Sequence, residues 1–232
     1  MQLIILRPQP AADTTVARAT ALGFDAVPMP LFAIEPVDWT LPDGAFDAVL
    51  ITSANALRNG GAGLSTITYL PVLAVGDASA KMAKSAGFDV AITGNRDGAA
   101  ILAQAINAGF RSIIWLAGAE HMPLDAGREI SLTTIVTYQS RALDPSPNLT
   151  NLLTIPCIVA LHSARAAVCF LAYCEQYRVD IAQISLAVLS AVIAAAAGTG
   201  WREVAIADVP NDMALLSAAQ SIAMAISNGE DQ

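Results

Sequence analysis

The chain has 232 residues, which suits two domains of about 100–200 residues each. Hydrophobic residues make up 55% of it and charged residues 14%, so there is material for two cores, and a disordered chain is excluded. The net charge is −8 with 12 Lys and Arg. Nucleic-acid binding needs clustered cations, so no nucleic-acid partner is expected.

No secretory signal or membrane span is expected. The apolar start ends at Arg7-Pro8, and the most apolar stretch, residues 186–198, is shorter than the roughly 20 residues that a spanning helix needs. Cys157, Cys169 and Cys174 match no metal-ligand spacing, and we expect core thiols in a reducing compartment. We therefore expect a cytoplasmic protein without a metal site.

Apolar runs of strand length alternate with Ala-rich helical stretches along the first 138 residues. We predict strands at 3–6, 24–27, 31–37, 46–52, 71–75, 90–93, 112–116 and 130–138, and helices at 11–22, 54–58, 78–86 and 98–107. Gly23, Gly87 and Gly109 close helices, and Asp97 caps one. This alternation predicts parallel βαβ units.

The second half of the chain repeats part of the first. Residues 50–56 match 160–166, residues 73–80 match 186–193, and Gly87-Phe88 matches Gly200-Trp201. The order strand, Ser-Ala-x-Ala, helix, strand, helix, Gly-aromatic, strand, helix thus occurs twice. Such a recurrence indicates a duplicated α/β lobe.

The two lobes do not correspond to the two halves of the chain. The C-terminal repeat lacks strands unless the first unit completes it, so we predict a discontinuous lobe of residues 1–33 plus 142–232. A second lobe, 38–137, is inserted, and segments 34–37 and 138–141 form a two-stranded linker. The expected class is α/β, with two similar lobes, each a flavodoxin-like parallel sheet flanked by helices, joined by this hinge. The cleft between the lobes is the expected working surface.

Common cofactor and nucleophile motifs are missing from the sequence. No GxGxxG follows the first strand, where Arg7-Pro8-Gln9-Pro10 stands instead, and there is no Walker sequence and no GxSxG. Two histidines cannot build a His-rich metal site. We therefore expect the protein to work without a cofactor.

Polar residues follow four predicted strands. Ligands of open parallel sheets lie at the carboxyl ends of strands, and helix starts there present N–H groups to carboxylates. The candidate binding residues are Arg7, Thr52, Ser53, Ala54, Asn55, Ser79, His162, Ser163, Ala164 and Arg165. Tyr138, the first residue of the second linker segment, could present its hydroxyl to the cleft. The alternatives are helix caps for the serines, surface cations for the arginines, a core imidazole for His162 and strand packing for Tyr138.

These motifs together resemble uroporphyrinogen-III synthases over nearly the whole chain. The resemblance rests on the order of short motifs: Leu6-Arg7-Pro8, Thr52-Ser53-Ala54-Asn55-Ala56, Val75-Gly76-Asp77-Ala78-Ser79-Ala80, Gly87-Phe88, Trp115-Leu116-Ala117-Gly118, Tyr138-Gln139 and Ala214-Leu215-Leu216. It implies two α/β lobes joined by a two-stranded ladder. It also implies a cofactor-free lyase that cyclises hydroxymethylbilane, a linear tetrapyrrole, to uroporphyrinogen III with inversion of ring D and loss of water.

The resemblance assigns roles to residues by position. Tyr138 would assist departure of the hydroxyl, Ser79 would face the cleft where the family has a threonine, and Thr52, Ser53, His162 and Ser163 would hold substrate carboxylates. The chain departs from the family at Leu189-Ser190-Ala191-Val192, where relatives have Gly-Pro-Thr-Thr. The resemblance further implies a monomer that meets the preceding pathway enzyme only transiently.

Two other functions fit the same layout. A non-catalytic two-lobe module could close on a small anion, since duplicated lobes with a hinge suit that task equally well. A transferase for nucleotide-linked substrates would need an acidic site at a strand end, where Asp77 stands in the first repeat and Ser190 replaces it in the second.

Overall fold

The structure is a computed structural model that describes residues 1–94 and 97–230. Its strands are β1 Gln2–Ile5, β2 Asp25–Pro28, β3 Phe32–Pro36, β4 Ala48–Ile51, β5 Val72–Val75, β6 Val90–Gly94, β7 Ser112–Gly118, β8 Ser131–Ala142, β9 Cys157–Leu161, β10 Ile184–Val188 and β11 Glu203–Ile206. Its α-helices are α1 Ala11–Ala21, α2 Ala54–Arg58, α3 Asp77–Ser85, α4 Gly98–Asn107, α5 Pro147–Leu152, α6 Ala164–Gln176, α7 Ala191–Ala197 and α8 Asp212–Glu230. Short 3-10 helices lie at Gly61–Thr66 and Ile181–Gln183.

The chain forms two compact units. Unit 1 comprises Met1–Ala33 and Ala142–Gln232, and unit 2 comprises Ile34–Arg141. These limits lie within a few residues of the predicted lobes. That the units behave as separate domains joined by a two-stranded linker stays a prediction.

Unit 1 is built on a five-stranded parallel sheet in the order β11-β10-β9-β1-β2. Numbered within the unit, this is the order 5-4-3-1-2, which is the flavodoxin-like arrangement. Strand order reverses between β1 and β9. The topology therefore places a crevice at the carboxyl ends of these two strands, directly before Arg7 and His162.

Unit 2 repeats this arrangement with a permuted chain order. Its sheet has the order β3-β8-β7-β4-β5-β6, and the pairs from β8 to β6 are parallel. Strands β4, β5 and β6 hold the places that β9, β10 and β11 hold in unit 1, as the sequence repeat predicted. Here the order reverses between β7 and β4. The predicted class, two similar parallel α/β sheets flanked by helices, is confirmed.

The central strands are buried on both faces by helices. Every residue of β4, β9 and β10 is buried, whereas β11 at the edge is largely exposed. Each sheet consequently has two apolar clusters, one on each face. Continuous apolar strands of this kind are typical of parallel sheets covered on both sides.

Helix ends follow the signals in the sequence. The N–H groups of Phe24 and Phe88 donate to carbonyls five residues back, at Ala19 and Ala83, and the intervening Gly23 and Gly87 have φ near +90°. Only glycine adopts that conformation without strain, and it satisfies otherwise unpaired carbonyls at the end of the helix. Strand β8 continues through the predicted linker segment 138–141 to Ala142, and its second edge lies against β3.

None of the described helices is long and apolar enough to cross a membrane. Residues 1–94 and 97–230 likewise contain no group of three or more His, Cys, Asp and Glu side chains that could hold a metal ion.

Candidate active site

A cavity of about 300 Å³ opens at the point where the strand order of unit 2 reverses. It lies beyond the carboxyl ends of β4 and β7, where open α/β sheets bind their ligands. It is lined by Thr52, Gly98, Trp115, Gly118, Glu120, His121, Met122, Leu124 and Tyr138. Two residues predicted from the sequence, Thr52 and Tyr138, thus meet in one site.

Tyr138 stands against the backbone of the neighbouring strand. It is paired in register with Gly118, and the N–H of Ala119 donates to its carbonyl over 2.8 Å. A Cβ atom on Gly118 would lie 2.7 Å from the tyrosine ring carbons Cε2 and Cζ and 2.9 Å from its hydroxyl oxygen. Because real Cβ contacts are essentially never that short, position 118 must be glycine for the tyrosine ring to lie here.

An aromatic wall fixes the other polar groups of the cavity. The indole Nε1 of Trp115 donates to Thr52 Oγ1 over 3.1 Å. The ring of His121 meets Trp115 edge to face, with centroids 4.8 Å apart and planes at 79°. His121 Nδ1 is 2.8 Å from the carbonyl oxygen of Gly118. Neither Trp115 nor His121 was among the site residues predicted from the sequence.

The residues after Thr52 begin helix α2. Ser53 occupies the N-cap and accepts a hydrogen bond from the N–H of Asn55 over 3.3 Å. The side-chain oxygen of Asn55 accepts from Arg58 over 3.1 Å. Ser53, Ala54 and Asn55 are all half-buried. Their predicted part in substrate binding stays a prediction.

Ser79 is buried, with 4% of its surface exposed. We expected it where its helix begins, but α3 starts at Asp77 and Gly76 takes the cap position. Ser79 is therefore the third residue of the helix, on the face that packs against the sheet. Because it is buried, Ser79 could contact a ligand only if the ligand reached its hydroxyl inside unit 2.

A polar cluster occupies the equivalent point of unit 1. The carboxylate of Asp212, at the start of α8, contacts Arg7 Nη1 at 3.2 Å and Arg18 Nη1 at 2.7 Å. It also accepts from Thr15 over 2.8 Å and lies 3.1 Å from His162 Nε2. Arg7 and His162, both predicted as binding residues, are thus brought together by an aspartate that the sequence analysis did not select.

The electrostatics of the Asp212 cluster leave it with one net positive charge. Burial would raise the pKa of Asp212, but hydrogen bonds from His162, Thr15 and Arg18 outweigh it and hold the pKa well below its usual range. Burial lowers the pKa of His162, against the effect of its hydrogen bond to Asp212, so the imidazole is neutral at pH 7. Two guanidinium groups therefore face a single carboxylate.

The helix after His162 presents a cap and a stacked cation. Ser163 is exposed and accepts from the N–H of Ala166 over 3.1 Å, while Ala164 is half-buried. The guanidinium carbon of Arg165 lies 4.4 Å from the ring centre of Phe32, a cation–π distance. Ser190 holds the same cap position on α7 but makes no side-chain cap bond.

Comparison with known families shows which family the chain belongs to. The model of the family described as "Uroporphyrinogen-III synthase HemD" matches residues 13–217. The chain belongs to this family. It is a cyclising lyase of porphyrin and haem biosynthesis, as the resemblance implied, and family membership favours this reading over the binding module and the transferase.

Solved structures with the same fold agree with the family match. Uroporphyrinogen-III synthetase from Helicobacter pylori is 18% identical, with a TM-score of 0.66 over 96% of this chain and 100% of its own. A mutant uroporphyrinogen III synthase from Thermus thermophilus is 17% identical, with a TM-score of 0.54 over 98% and 99% of the two chains. At such identities these likenesses show a shared fold. No curated protein sequence matches this chain significantly.

Proposed function

We propose that the unit 2 cavity is where this synthase acts on the hydroxymethyl end of its linear tetrapyrrole, with Tyr138 donating a proton to the departing hydroxyl. The observation that carries this proposal is that Tyr138 and Thr52 meet in one cavity at the switch point of the sheet. A volume of about 300 Å³ is at the lower end for ligand sites, so the cavity suits one end of a four-ring substrate.

The cavity supplies what loss of water requires. Its walls include the buried side chain of Trp115 and the half-buried side chain of Leu124, together with Met122, which is 81% exposed. In such surroundings a hydrogen bond from a phenol to a leaving oxygen is stronger than in water. Thr52 Oγ1, held by the indole of Trp115, is a second hydroxyl at the same end of the sheet. Positioning then favours closure with ring inversion over the uncatalysed route to isomer I.

The substrate's carboxylates need cationic partners, and the cluster around Asp212 supplies one. Arg7 has 28% of its side chain exposed and belongs to a group with one surplus positive charge. The exposed Arg165 is a second cation, positioned by the ring of Phe32. We propose that these arginines bind carboxylates, with His162, Ser163 and Ala164 beside them. Thr52, Ser53, Ala54, Asn55 and Ser79 would contribute polar contacts in unit 2.

We further propose that the enzyme acts as a monomer in the cytoplasm and meets the preceding pathway enzyme only transiently. The three cysteines form no disulfide, and burial raises the pKa of Cys157 to about 11. Cys157 and Cys174 are buried, and buried free thiols suit a reducing compartment. A substrate that cyclises by itself to isomer I is best delivered without delay, which a brief encounter provides.

A coupled assay tests the catalytic proposal. Hydroxymethylbilane is generated in place, purified protein is added, and the porphyrin isomers are separated after oxidation. We expect isomer III from the wild type and a turnover about 10–1000-fold lower from Tyr138→Phe, the scale of one donor or proton transfer. Tyr69→Phe is the matched control, since Tyr69 is 72% exposed and does not line the cavity.

Two results would contradict the proposal in different ways. Isomer I alone from folded wild-type protein would refute the synthase activity itself. Isomer III at the wild-type rate from Tyr138→Phe would leave the activity intact and remove the tyrosine from the mechanism.

A further inference from the structure

His121 lines the same cavity as Tyr138 but has no role in the mechanism proposed above. It lies in the loop between β7 and β8, three residues after Gly118, the last residue of β7. Both side chains therefore adjoin Gly118. Tyr138 covers the α-carbon of this glycine, and His121 bonds to its carbonyl.

The hydrogen bond to Gly118 fixes the tautomer of His121. A carbonyl oxygen can only accept, so Nδ1 must carry the proton that spans the 2.8 Å to Gly118 O. In the neutral imidazole the other nitrogen, Nε2, then has a lone pair and no proton. The described part of the chain offers Nε2 no hydrogen-bond partner.

The imidazole is also held in a fixed orientation. Trp115 contacts it edge to face, and the indole of Trp115 is tethered in turn to Thr52. A ring fixed by one hydrogen bond and one aromatic contact keeps its basic nitrogen in one place. This is how a general base is positioned before substrate arrives.

The reaction needs a proton acceptor as well as a donor. When the C–O bond breaks, its electron pair leaves with oxygen, and the proton from Tyr138 completes a water molecule. The pyrrole that has supplied electrons becomes a cationic azafulvene, and ring D attacks it through the α-carbon that already carries the bridge to ring C, which gives a spiro intermediate. That bridge bond then breaks, and its carbon, now cationic and conjugated with ring C, is attacked by the free α-carbon of ring D, so that ring D is inverted. The attacked α-carbon carries both its hydrogen and the new bond, and it must release that proton before ring D is aromatic again. One proton is given and one is returned, so the product differs from the substrate by water alone.

We propose that His121 Nε2 accepts the proton released as ring D becomes aromatic again, which makes His121 a second catalytic residue of the unit 2 cavity. This inference rests on the proposed function, because it requires the substrate to bind in that cavity. The acid and the base then flank the same glycine, and the proton that His121 takes up replaces the one that Tyr138 gives.

Three variants separate the base from the structural hydrogen bond. His121→Asn keeps an amide N–H that can donate to Gly118 O but has no basic nitrogen. His121→Ala removes both and leaves space for free imidazole. His121→Gln keeps the bulk of the side chain. We expect all three to lower kcat by about 10²–10⁴-fold with little change in KM, the loss typical of a missing general base. Added imidazole should raise the turnover of His121→Ala, and it should not raise the turnover of wild type or Tyr138→Phe.

The outcomes distinguish this inference from the proposed function. Isomer III from wild type together with a wild-type kcat for His121→Asn would overturn the role of His121 and leave the synthase and its cavity standing. Absence of imidazole rescue in a folded His121→Ala variant would overturn it too. If His121→Ala does not fold, as far-UV circular dichroism would show, the Asn and Gln variants decide the matter. Isomer I alone from wild type would refute the function on which the inference rests.

Discussion

Replacing Asp212 by asparagine should destabilise unit 1, because the carboxylate of Asp212 pairs with two arginines. The carboxylate is 11% exposed and contacts Arg7, Arg18, Thr15 and His162. The substitution keeps the shape of the side chain and one acceptor oxygen but removes the charge. Arg7 and Arg18 are then left facing each other without a counter-ion.

The expected loss is about 2–3 kcal/mol. Breaking a buried ion pair by removing one partner costs roughly 3–5 kcal/mol, but the amide oxygen still accepts one hydrogen bond, which favours a value below that range. Arg18 adds little, because its side chain is 47% exposed and surface pairs contribute about 0–1 kcal/mol. For a protein of this size, each kcal/mol lowers Tm by about 2–4 °C, so Tm should fall by about 4–12 °C.

Thermal and urea unfolding of wild type, Asp212→Asn and Asp208→Asn measure this loss. Asp208 is the control, because it lies just before α8, is exposed and makes no ion pair with any described residue. Both substitutions change the net charge equally. If Asp212→Asn and Asp208→Asn lower the free energy of unfolding equally, the loss is caused by the change in net charge. The contacts of Asp212 with its neighbours would then contribute nothing to stability.

The difference in stability between wild type and Asp212→Asn should depend on pH, and the structure predicts the direction of that dependence. The pKa of Asp212 is lower in the folded protein than its ordinary 3.8, so its contribution is present above pH 3.8 and is lost as pH falls towards the folded pKa. Asparagine has no such contribution. The stability gap between wild type and Asp212→Asn should therefore persist from pH 8 to about 5 and close below about 3.8. The pKa of His162 is also lowered, so both proteins should weaken below about pH 6.5.

Two further substitutions test the geometry of the sites. Gly118→Ala places a Cβ 2.7 Å from the ring of Tyr138 and should lower turnover by at least about 10-fold in a folded protein. In a Tyr138→Phe background the same substitution should cause little additional loss of turnover. Equal losses in both backgrounds would show that the new methyl group does not act through the tyrosine. Ser163→Ala removes the N-cap of α6 and should lower the free energy of unfolding, measured in urea, by about 1 kcal/mol. Ser190→Ala removes a serine at a cap position that makes no side-chain cap bond, and it should cost less than half of that. Equal losses would contradict the assignment of Ser163 as a stabilising N-cap.

Much of the fold could be predicted because its signals are local. Continuous apolar runs mark the buried strands, and glycine followed by phenylalanine marks helix ends at Gly23 and Gly87. Polar residues directly after strands, such as Arg7, Thr52 and His162, lie at the carboxyl edge of a parallel sheet in either unit. The duplication could be read from the sequence because equivalent strands kept their apolar pattern and their strand-end serines.

The parts that could not be predicted depend on contacts across long sequence separations. Arg7 and Asp212 are 205 residues apart, and nothing near Asp212 in the sequence indicates that its carboxylate gathers two arginines and a histidine. His121 stands in a loop whose sequence has no periodic pattern, and only the carbonyl of Gly118 fixes its tautomer. Ser79 shows how sensitive such predictions are to helix starts. A helix that begins one residue earlier than predicted places each residue one position further from the helix start, which corresponds to about 100° around the helix axis.

The two switch points share a topology but differ in what their polar groups can do. In unit 1 the carboxylate of Asp212 already engages Arg7, Arg18 and His162, so these groups are fixed, and the surplus is one positive charge. In unit 2 the hydroxyl of Tyr138 and the imidazole of His121 line a cavity with apolar walls. A fixed charge suits anchoring of a carboxylate, whereas groups that can gain or lose a proton suit the chemical step. We therefore propose that the crevice of unit 1 anchors a substrate carboxylate and that the crevice of unit 2 carries out the chemical step.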